Sequence, residues 1–380
     1  MTSEERREAR YRRRQRKRQE KREARGRAVG TLEEVFSYRN LFQYGRKCCN
    51  GVRWKYSTQK FELHLFSVTA RTRRKLLDGT WRPGKTVHFT LRERGKVREI
   101  DAPHIEDRQV YKVYTKLVLA PLYGPGMIWA NGASQKGKGL HWHYRRLKED
   151  LRRHYRKNGR AGAVFLMDFH HFFPSDPRAI IYERHRRLIP DRDLRELGDR
   201  IVGASPGKAG MPLGVEPSQQ EMVSLPSALD HHIQSQMGIR GAGHYMDDYY
   251  AILPGREEAR TAGAEIIERA ERMGLTVNRR KCQVTELSKP FRWCKVKFCL
   301  TETGRVMTHG CRDGMKRARR KLKLMKRREE AGQITKEEAE QWLNSQMAYY
   351  RHHNDHGRVL RLRRLYHELF GGDRRCIELS

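Results

Sequence analysis

The sequence predicts a mixed α/β (α+β) fold in which short strands carrying acidic residues alternate with longer helices. Ala163–Met167 is a short apolar run that ends at Asp168, and Gly241–Leu253 holds two adjacent aspartates between two runs of strand-forming residues. Apolar runs of this length, bounded by turn residues, indicate strands. The chain beyond residue 310 has helical periodicity and is strongly basic, which predicts a C-terminal helical bundle.

The stretch Gly241–Leu253 (GAGHYMDDYYAIL) predicts a tight hairpin with Asp247 and Asp248 at its tip. An isolated Asp pair is usually an ordinary exposed turn, because Asp favours turns. Here the flanking residues are aromatic or apolar: Tyr245, Met246, Tyr249 and Tyr250. Two buried carboxylates repel each other, and a divalent cation is the usual compensation. Mg²⁺ fits, since it takes one or two protein carboxylates and leaves its other positions to water and phosphate.

A third carboxylate lies upstream, where the apolar run Ala163–Met167 ends at Asp168. Pro174-Ser175-Asp176 then predicts the cap of a helix over Arg178–Leu188. A carboxylate at a strand end beside a hairpin tip with two more describes a two-metal phosphoryl-transfer site.

The charge balance points to a polyanionic partner. The 380 residues include 81 Lys and Arg against 45 Asp and Glu, a net charge of +36. Such a charge repels itself unless a polyanion neutralises it, so nucleic acid is the expected partner. An anionic membrane surface is the weaker alternative, because no clean amphipathic helix with an aromatic face is present.

Hydropathy and cysteine content bear on the compartment. Mean hydropathy is −0.90, and no apolar run approaches the roughly 20 residues that span a bilayer. The N-terminus is charged from Glu4 onward without an apolar signal region, so we expect no membrane partner and a cytoplasmic location. The seven cysteines are expected to be free thiols, and without a CxxC pair a zinc site is not favoured.

Other segments have weaker signals. Residues 1–30 form a basic arm, either a solvated flexible tail or a phosphate-binding segment. The predicted hairpin over residues 86–100 carries four cations: Arg92, Arg94, Lys96 and Arg98. They would either form a solvated face or grip a triphosphate or template. Ala130–His143 is rich in Gly and Lys but lacks both nucleotide-loop patterns. Other predicted elements are helices at Leu32–Tyr44, Phe61–Leu77, Tyr144–Arg156 and Arg256–Met273, and a strand at Phe291–Leu300.

The order of these blocks resembles the prokaryotic reverse transcriptases of the group II intron-like kind, especially the compact ones of diversity-generating retroelements and defence systems. The resemblance covers roughly Gly45 to Gly304. The matching blocks are Gly79-Thr80-Trp81-Arg82-Pro83, Arg98–Pro103 with Asp107-Arg108, Gly137–His141, Asp168-Phe169 with Phe173-Pro174-Ser175, Pro212-Leu213-Gly214 with Ser218-Gln219, Tyr245–Asp248, and Gly274-Leu275 with Asn278 and Lys281.

The resemblance implies a right-hand polymerase. Residues 31–160 would form helical and β fingers, 161–304 a palm of antiparallel sheet carrying the YMDD hairpin, and 305–380 a basic helical thumb and tail. Helices within 175–220 would join fingers and palm. The basic arm of residues 1–30 would precede the fingers in the chain.

The resemblance also implies the site. Asp168, Asp247 and Asp248 would be catalytic and, with Phe169, would bind two Mg²⁺ ions, for which Mn²⁺ can substitute. The implied substrate-binding residues are Arg98 at the triphosphate, Phe173 as a steric gate against the ribose 2′-OH, Gln219 in the dNTP pocket, and Lys281 near the pyrophosphate.

Three positions depart from the family pattern. Val215-Glu216-Pro217 stands where Asn usually follows Pro-x-Gly, Trp293-Cys294-Lys295 has Lys in place of Gly, and Gln135-Lys136 replaces an arginine.

The expected function is RNA-directed DNA synthesis from a primer 3′-OH, with an RNA template, a nucleic-acid primer and dNTPs as partners. The family further implies a cognate non-coding or element-encoded RNA and a small accessory protein. Two alternatives stay open: an antiviral-defence polymerase making untemplated or protein-primed DNA, and a catalytically silent RNA-binding protein.

Overall fold

The computed structural model describes residues 2–93, 96–174, 178–204 and 209–371. The chain divides into two compact units, each assembled from separate stretches. The first comprises Met1–Trp142, Phe169–Gly238 and Glu265–Asn278, and the second comprises His143–Asp168, Ile239–Ala264 and Arg279–Ser380. The predicted boundaries at residues 30, 160 and 304 stay predictions.

Helices and sheets are both present, as the sequence predicts. In chain order the α-helices of the described ranges are α1 (Ser3–Val29), α2 (Leu32–Val35), α3 (Tyr38–Cys48), α4 (Tyr56–Leu63), α5 (Leu65–Leu77), α6 (Ile105–Tyr114), α7 (Ala120–Tyr123), α8 (Leu140–Asn158), α9 (Arg178–Leu188), α10 (Arg192–Gly203), α11 (Glu216–Ser224), α12 (Ser227–His231), α13 (Arg256–Arg272), α14 (Arg312–Glu330), α15 (Lys336–His352) and α16 (His356–Phe370).

The strands form antiparallel sheets. They are β1 (Val87–Glu93), β2 (Lys96–Ala102), β3 (Ala163–Asp168), β4 (Ala242–Tyr245), β5 (Asp248–Leu253), β6 (Gln283–Glu286), β7 (Phe291–Trp293), β8 (Val296–Leu300) and β9 (Val306–Gly310). In the first unit β1 pairs with β2. In the second unit one sheet has the order β4-β5-β3-β6 and another the order β7-β8-β9.

The N-terminal arm is the 27-residue helix α1. Thr2 begins it with a capping box, because its side chain accepts from the Glu5 amide while the Glu5 carboxylate accepts from the Thr2 amide. The helix is exposed up to Ala24, and at the buried Gly26 an added Cβ would lie 2.4 Å from Cγ of Pro190. Charged side chains surround the helix, so it has no apolar stripe that would pack it along its length against the rest of the first unit.

The first unit has a core between α6, the π-helical turn Thr115–Leu119 and α10. Its members include Val110, Tyr114, Val118, Leu119, Leu194, Leu197 and Ile201. Gln109 lies fully buried beside this core and donates to the Leu41 carbonyl and to Thr69 Oγ1, at 2.9 Å each. The buried amide thus joins α3, α5 and α6.

In the second unit, α14, α15 and α16 pack into the predicted basic bundle around an apolar core of Leu322, Leu343, Met347, Leu362 and Tyr366. Thr335 caps α15 by accepting a hydrogen bond from the Glu338 amide. The region Arg312–Arg328 holds ten Lys and Arg against one Asp. The bundle therefore combines an apolar interior with a cationic exterior.

Two predicted helices are interrupted, and a third, predicted at Tyr144–Arg156, begins earlier, at Leu140. The predicted helix Leu32–Tyr44 is interrupted before Tyr38, because Ser37 caps a new helix by accepting from the Asn40 amide. The predicted helix Phe61–Leu77 instead starts at Tyr56 and is interrupted at His64, whose backbone (φ −101°, ψ 18°) leaves the helical conformation. The cap predicted at residues 175–176 lies outside the described residues, whereas its helix is present as α9.

No helix in the described part of the chain is long and apolar enough to cross a membrane. Six cysteines within the described ranges are free thiols, as expected: Cys48, Cys49, Cys282, Cys294, Cys299 and Cys311.

A buried histidine makes the stability of the first unit depend on pH. His185 is fully buried and contacts Asp199 (Nδ1–Oδ1, 2.6 Å) and Glu221 (Nε2–Oε1, 2.9 Å). Burial alone lowers the pKa of His185, but the two carboxylates outweigh it and raise the pKa from 6.5 to about 9. The charged form is therefore favoured by folding.

We expect His185→Gln to destabilise the protein most below pH 6.5, by on the order of 3 kcal/mol. Because the folded-state pKa is raised, this stabilisation is complete below 6.5 and is lost as the pH rises through about 9. Thermal melts of wild type and variant from pH 6 to 10 measure it. A Tm difference that stays constant over this interval would contradict the charged state of His185.

Candidate functional site

Two aspartates face each other where neighbouring strands of the second unit end. Asp168 is the last residue of β3 and Asp248 the first of β5, and the two are direct partners in the antiparallel pairing. Directly opposite residues project to the same face of a sheet with their Cβ atoms about 5 Å apart. Asp168 is 7% exposed, and the rest of β3 is buried. The strand register therefore brings the two carboxylates together.

The third aspartate lies in the turn between β4 and β5. Tyr245 pairs with Asp248, so the turn consists of Met246 and Asp247 alone. Met246 has φ 57°, the left-handed conformation that two-residue hairpin turns require. The structure thus contains the predicted hairpin, with Asp247 in its turn and Asp248 at the start of its second strand.

Two buried histidines support this turn. His143 Nε2 donates to the His244 carbonyl at 2.7 Å, and His244 Nδ1 donates to the Met246 carbonyl at 3.0 Å. Both residues are fully buried, and the His244 ring stacks on Tyr249 with centroids 4.4 Å apart. The left-handed turn before Asp247 is therefore held by side chains that are themselves fixed by packing.

The Asp168 carboxylate is engaged by the ammonium of Lys281, which lies in a 3₁₀ turn at Arg279–Lys281. Burial lowers the pKa of Lys281, but the bond to Asp168 and the charges of Asp248 and Asp247 outweigh it and raise the pKa. The lysine thus brings positive charge to a site that otherwise concentrates negative charge.

The Asp248 carboxyl has a raised pKa. Burial, followed by the charges of Asp247 and Asp168, raises the pKa of Asp248 to about 7. Cys294 Sγ donates to Asp248 Oδ2 at 3.5 Å. Within the described residues, no group of three or more His, Cys, Asp or Glu side chains is arranged to hold a metal ion.

The segment Phe291–Leu300 is a hairpin, so its prediction as one strand is wrong. Strand β7 pairs with strand β8, and Trp293 lies opposite Val296. Cys294 and Lys295 form the two-residue turn between them, with φ angles of 43° and 66°. The buried positions are 291 and 293 in β7 but 296, 298 and 300 in β8, so the alternation shifts by one residue at the turn. Neither turn residue is Gly or Asn, so this shift was the local signal for a turn that the sequence analysis overlooked.

We expect Lys295→Gly to stabilise the protein by roughly 1 kcal/mol, because a side chain in the left-handed region is strained and glycine is not. This is the position at which the resembled family has glycine. The midpoint of urea denaturation measures the effect. Lys297→Gly, at an exposed site within β8, is the matched control and should destabilise. A loss of stability in both variants would contradict strain at Lys295.

The other sequence-predicted site residues belong to the first unit. Arg98 is exposed on β2 opposite Leu91, and Gln219 is exposed in the first turn of α11. Phe169 is buried and forms an isolated bridge with Val277. Phe173 is half-buried in a turn, where its carbonyl accepts from the Met211 amide at 2.7 Å. Of the predicted residues, the second unit therefore contains Asp168, Asp247, Asp248 and Lys281.

Two contacts within the first unit join the segment 210–214 to its neighbours. The Asp101 amide donates to the Leu213 carbonyl at 2.9 Å, which joins β2 to the loop before α11. A Cβ added at Gly210 would lie 2.3 Å from the Pro174 carbonyl oxygen, so only glycine fits there. The β1–β2 hairpin and the turn containing Phe173 are thus both attached to the segment 210–214. Arg94, which the sequence analysis assigned to this hairpin, lies outside the described residues.

The unusual Glu216 has local cationic partners. Lys112 and Lys116 of the adjoining helical segment contact its carboxylate oxygens at 2.9 and 3.1 Å. The glutamate that departs from the family pattern is thereby neutralised by lysines of its own unit.

Sequence reasoning missed the structural role of His143, His244 and Cys294. His244 lies three residues before Asp247, and only the register, which places it opposite Tyr249 on the buried side, shows that it holds the turn. The available signal was a histidine in the strand-forming run directly before Tyr245–Asp248.

No protein-family model and no curated protein sequence matches the chain. Among solved structures, a Candida albicans telomerase determined in complex with a TWJ fragment of telomeric RNA is similar over 77% of this chain and 64% of its own, with 10% identity and a TM-score of 0.45. An apo telomerase from Candida tropicalis, truncated from the C-terminal domain, is similar over 64% of this chain and 60% of its own, with 12% identity and a TM-score of 0.43. The chain thus spans less than two thirds of either telomerase.

Proposed function

We propose that this chain is an RNA-directed DNA polymerase that extends a primer 3′-OH with dNTPs. One observation carries the proposal: Asp168 and Asp248 lie opposite each other at strand ends, and Asp247 occupies the adjoining two-residue turn. An ordinary fold gains nothing from opposing like charges, because directly opposed like charges destabilise a sheet. A site that binds cations accounts for them.

The donor set fits Mg²⁺. Asp168, Asp247 and Asp248 supply carboxylate oxygens, and Phe169 could add only its main-chain carbonyl. These are hard oxygen ligands of the kind that Mg²⁺ and Mn²⁺ prefer. Bound cations would lower the pKa of the primer hydroxyl and stabilise the charge on the leaving pyrophosphate. In the structure the Lys281 ammonium contacts the Asp168 carboxylate. The proposal therefore includes the displacement of this ammonium by a bound cation.

The remaining residues have proposed roles that follow from their chemistry. Lys281, released from Asp168, would contact the pyrophosphate and protonate it. Arg98 would pair with the triphosphate, Gln219 would hydrogen-bond the incoming nucleotide, and Phe173 would exclude its 2′-OH. Catalysis of this kind depends mainly on positioning and on neutralising charge, which suits a site with few reactive groups.

The charge distribution supports a nucleic-acid substrate. A net charge of +36 and a basic bundle of α14–α16 suit contact with phosphate backbones. Binding should therefore weaken steeply as salt is raised, independently of catalysis.

Primer extension tests the proposal. The nuclease-treated, repurified chain is given a defined RNA template, an annealed DNA primer, dNTPs and Mg²⁺. We expect extension to the end of the template, with the product sequence complementary to it. Extension that ignores the template sequence, or no extension with either Mg²⁺ or Mn²⁺, would contradict the proposal.

A further inference from the structure

Four large side chains between residues 54 and 66 are almost fully exposed. Trp54, Tyr56, Leu63 and Phe66 have 75%, 77%, 79% and 78% of their surface accessible. Single exposed apolar residues are common, but several such large ones within one short stretch indicate a binding surface.

These side chains are not needed for the core. Phe61, Leu65 and Val68 fill the buried side of α4 and α5, where they pack against Cys49. Tyr56, Lys60 and Leu63 are spaced by four and three residues, so they share the outer face of α4. On α5, Phe66 stacks on Phe42 of α3 with ring centroids 4.6 Å apart.

The same region is strongly cationic. Residues 38–77 contain ten Lys and Arg and a single acid, Glu62. Several of these cations lie over aromatic rings: Lys47 over Tyr44 at 4.3 Å, Lys55 over Trp54 at 5.3 Å, and Arg73 over Tyr38 at 4.8 Å. Exposed rings interleaved with cations are the features by which proteins bind single-stranded nucleic acid, whose bases stack on the rings while the phosphates meet the charges.

We propose that this aromatic surface, defined by Trp54, Tyr56, Lys55, Lys60 and Phe66, binds single-stranded RNA by base stacking. Arg53, Arg71 and Arg73 are paired with glutamates of the chain, so the argument concerns Lys55 and Lys60. An apolar protein partner would cover the rings but supply no anion to these two lysines, and a duplex would supply phosphates but hide its base faces. The choice of RNA over DNA rests on the proposed function, which takes an RNA template. The residues of this surface all belong to the first unit, and the three aspartates all belong to the second.

Fluorescence anisotropy with the full-length chain tests the inference. The probes are a short fluorescein-labelled oligouridylate, the matching oligothymidylate, and an RNA duplex of equal length. Two triple variants are compared with wild type: Trp54, Tyr56 and Phe66 all changed to Ala, and the same three all changed to Leu. The leucines keep apolar area but remove the flat rings.

We expect both triple variants to raise the Kd for oligouridylate roughly tenfold or more, with duplex affinity unchanged. Lys55→Gln with Lys60→Gln should instead reduce the salt dependence of binding, since it removes two phosphate contacts. Because all five positions are exposed, thermal melts should change little, and only the triple variants lose a packing contact, the stack of Phe66 on Phe42. Oligouridylate affinity that survives in either triple variant, or that falls equally for the duplex, would overturn base stacking. Loss confined to oligothymidylate would overturn the choice of RNA.

The test is separable from the proposed function. All titrations are repeated with Asp247→Asn and Asp248→Asn introduced together, which removes the acids without touching the aromatic surface. The same loss of RNA affinity in both backgrounds supports the inference whether or not the chain synthesises DNA. A loss that requires intact aspartates would contradict an independent surface.

Discussion

Replacing Asp247 and Asp248 together by Asn should reduce dNTP incorporation on an RNA template by roughly a thousandfold or more. Divalent cations supply several kcal/mol of charge stabilisation in such reactions, and each 1.4 kcal/mol is a factor of ten in rate. Steady-state primer extension measures the effect. Asp193→Asn, at an exposed position of α10, is the matched control and should retain wild-type activity.

A second measurement on the same variants does not depend on activity. Above pH 7, where Asp248 is charged, the double variant removes opposed like charges at Asp168 and Asp248, so it should melt higher there than wild type without metal. Added Mg²⁺ should raise the Tm of wild type, because a ligand that binds only the folded state stabilises it, and should leave the variant unchanged. An equal Mg²⁺ response in both proteins would contradict a metal site at these aspartates.

Phe173→Ala should raise the incorporation of ribonucleotides relative to deoxyribonucleotides by roughly tenfold or more. The proposed role of the ring is to clash with the ribose 2′-OH, and specificity of this kind depends on a repulsive element that truncation removes. The turn itself should survive, because the Phe173 carbonyl, and not its ring, accepts the bond from the Met211 amide. Competition between rCTP and dCTP opposite a template G measures the ratio.

The control for Phe173 is a change of shape without loss of bulk. Phe173→Leu keeps most of the side-chain volume and should preserve most of the discrimination, whereas Phe173→Ala should not. Both Phe173 variants must keep their polymerase activity at the three aspartates, so incorporation with dNTPs alone is measured in parallel. An Ala variant that selects dNTPs as strongly as wild type would remove Phe173 from the proposed specificity element.

The acidic hairpin could be predicted from sequence because each of its signals is local. Strand-forming residues flank Asp247 and Asp248, and Asp168 ends an apolar run. The structure adds what local signals cannot contain, namely that β3 pairs with β5 in the register that sets Asp168 opposite Asp248. It also shows the contact of Lys281 with Asp168 across 113 positions of chain, which no spacing rule encodes.

Failures of prediction occurred where a turn used unusual residues. Cys294 and Lys295 adopt left-handed conformations that sequence rules reserve for Gly, Asn and Asp, so the β7–β8 hairpin was mistaken for one strand. The break before α3 did have a signal, since Ser37 is a preferred cap, but the apolar periodicity of the neighbouring residues concealed it. Periodicity alone does not locate an interruption when both sides of it are buried.

The nature of the bound nucleic acid is the most direct test of the central claim. RNA and DNA that co-purify with the wild-type chain and with the Asp247→Asn, Asp248→Asn double variant are sequenced side by side. We predict one defined RNA with both proteins, and complementary DNA with wild type only. Homopolymeric or protein-attached DNA would contradict templated synthesis in favour of an untemplated or protein-primed polymerase. Bound RNA without DNA in either preparation would contradict catalysis and leave an RNA-binding protein.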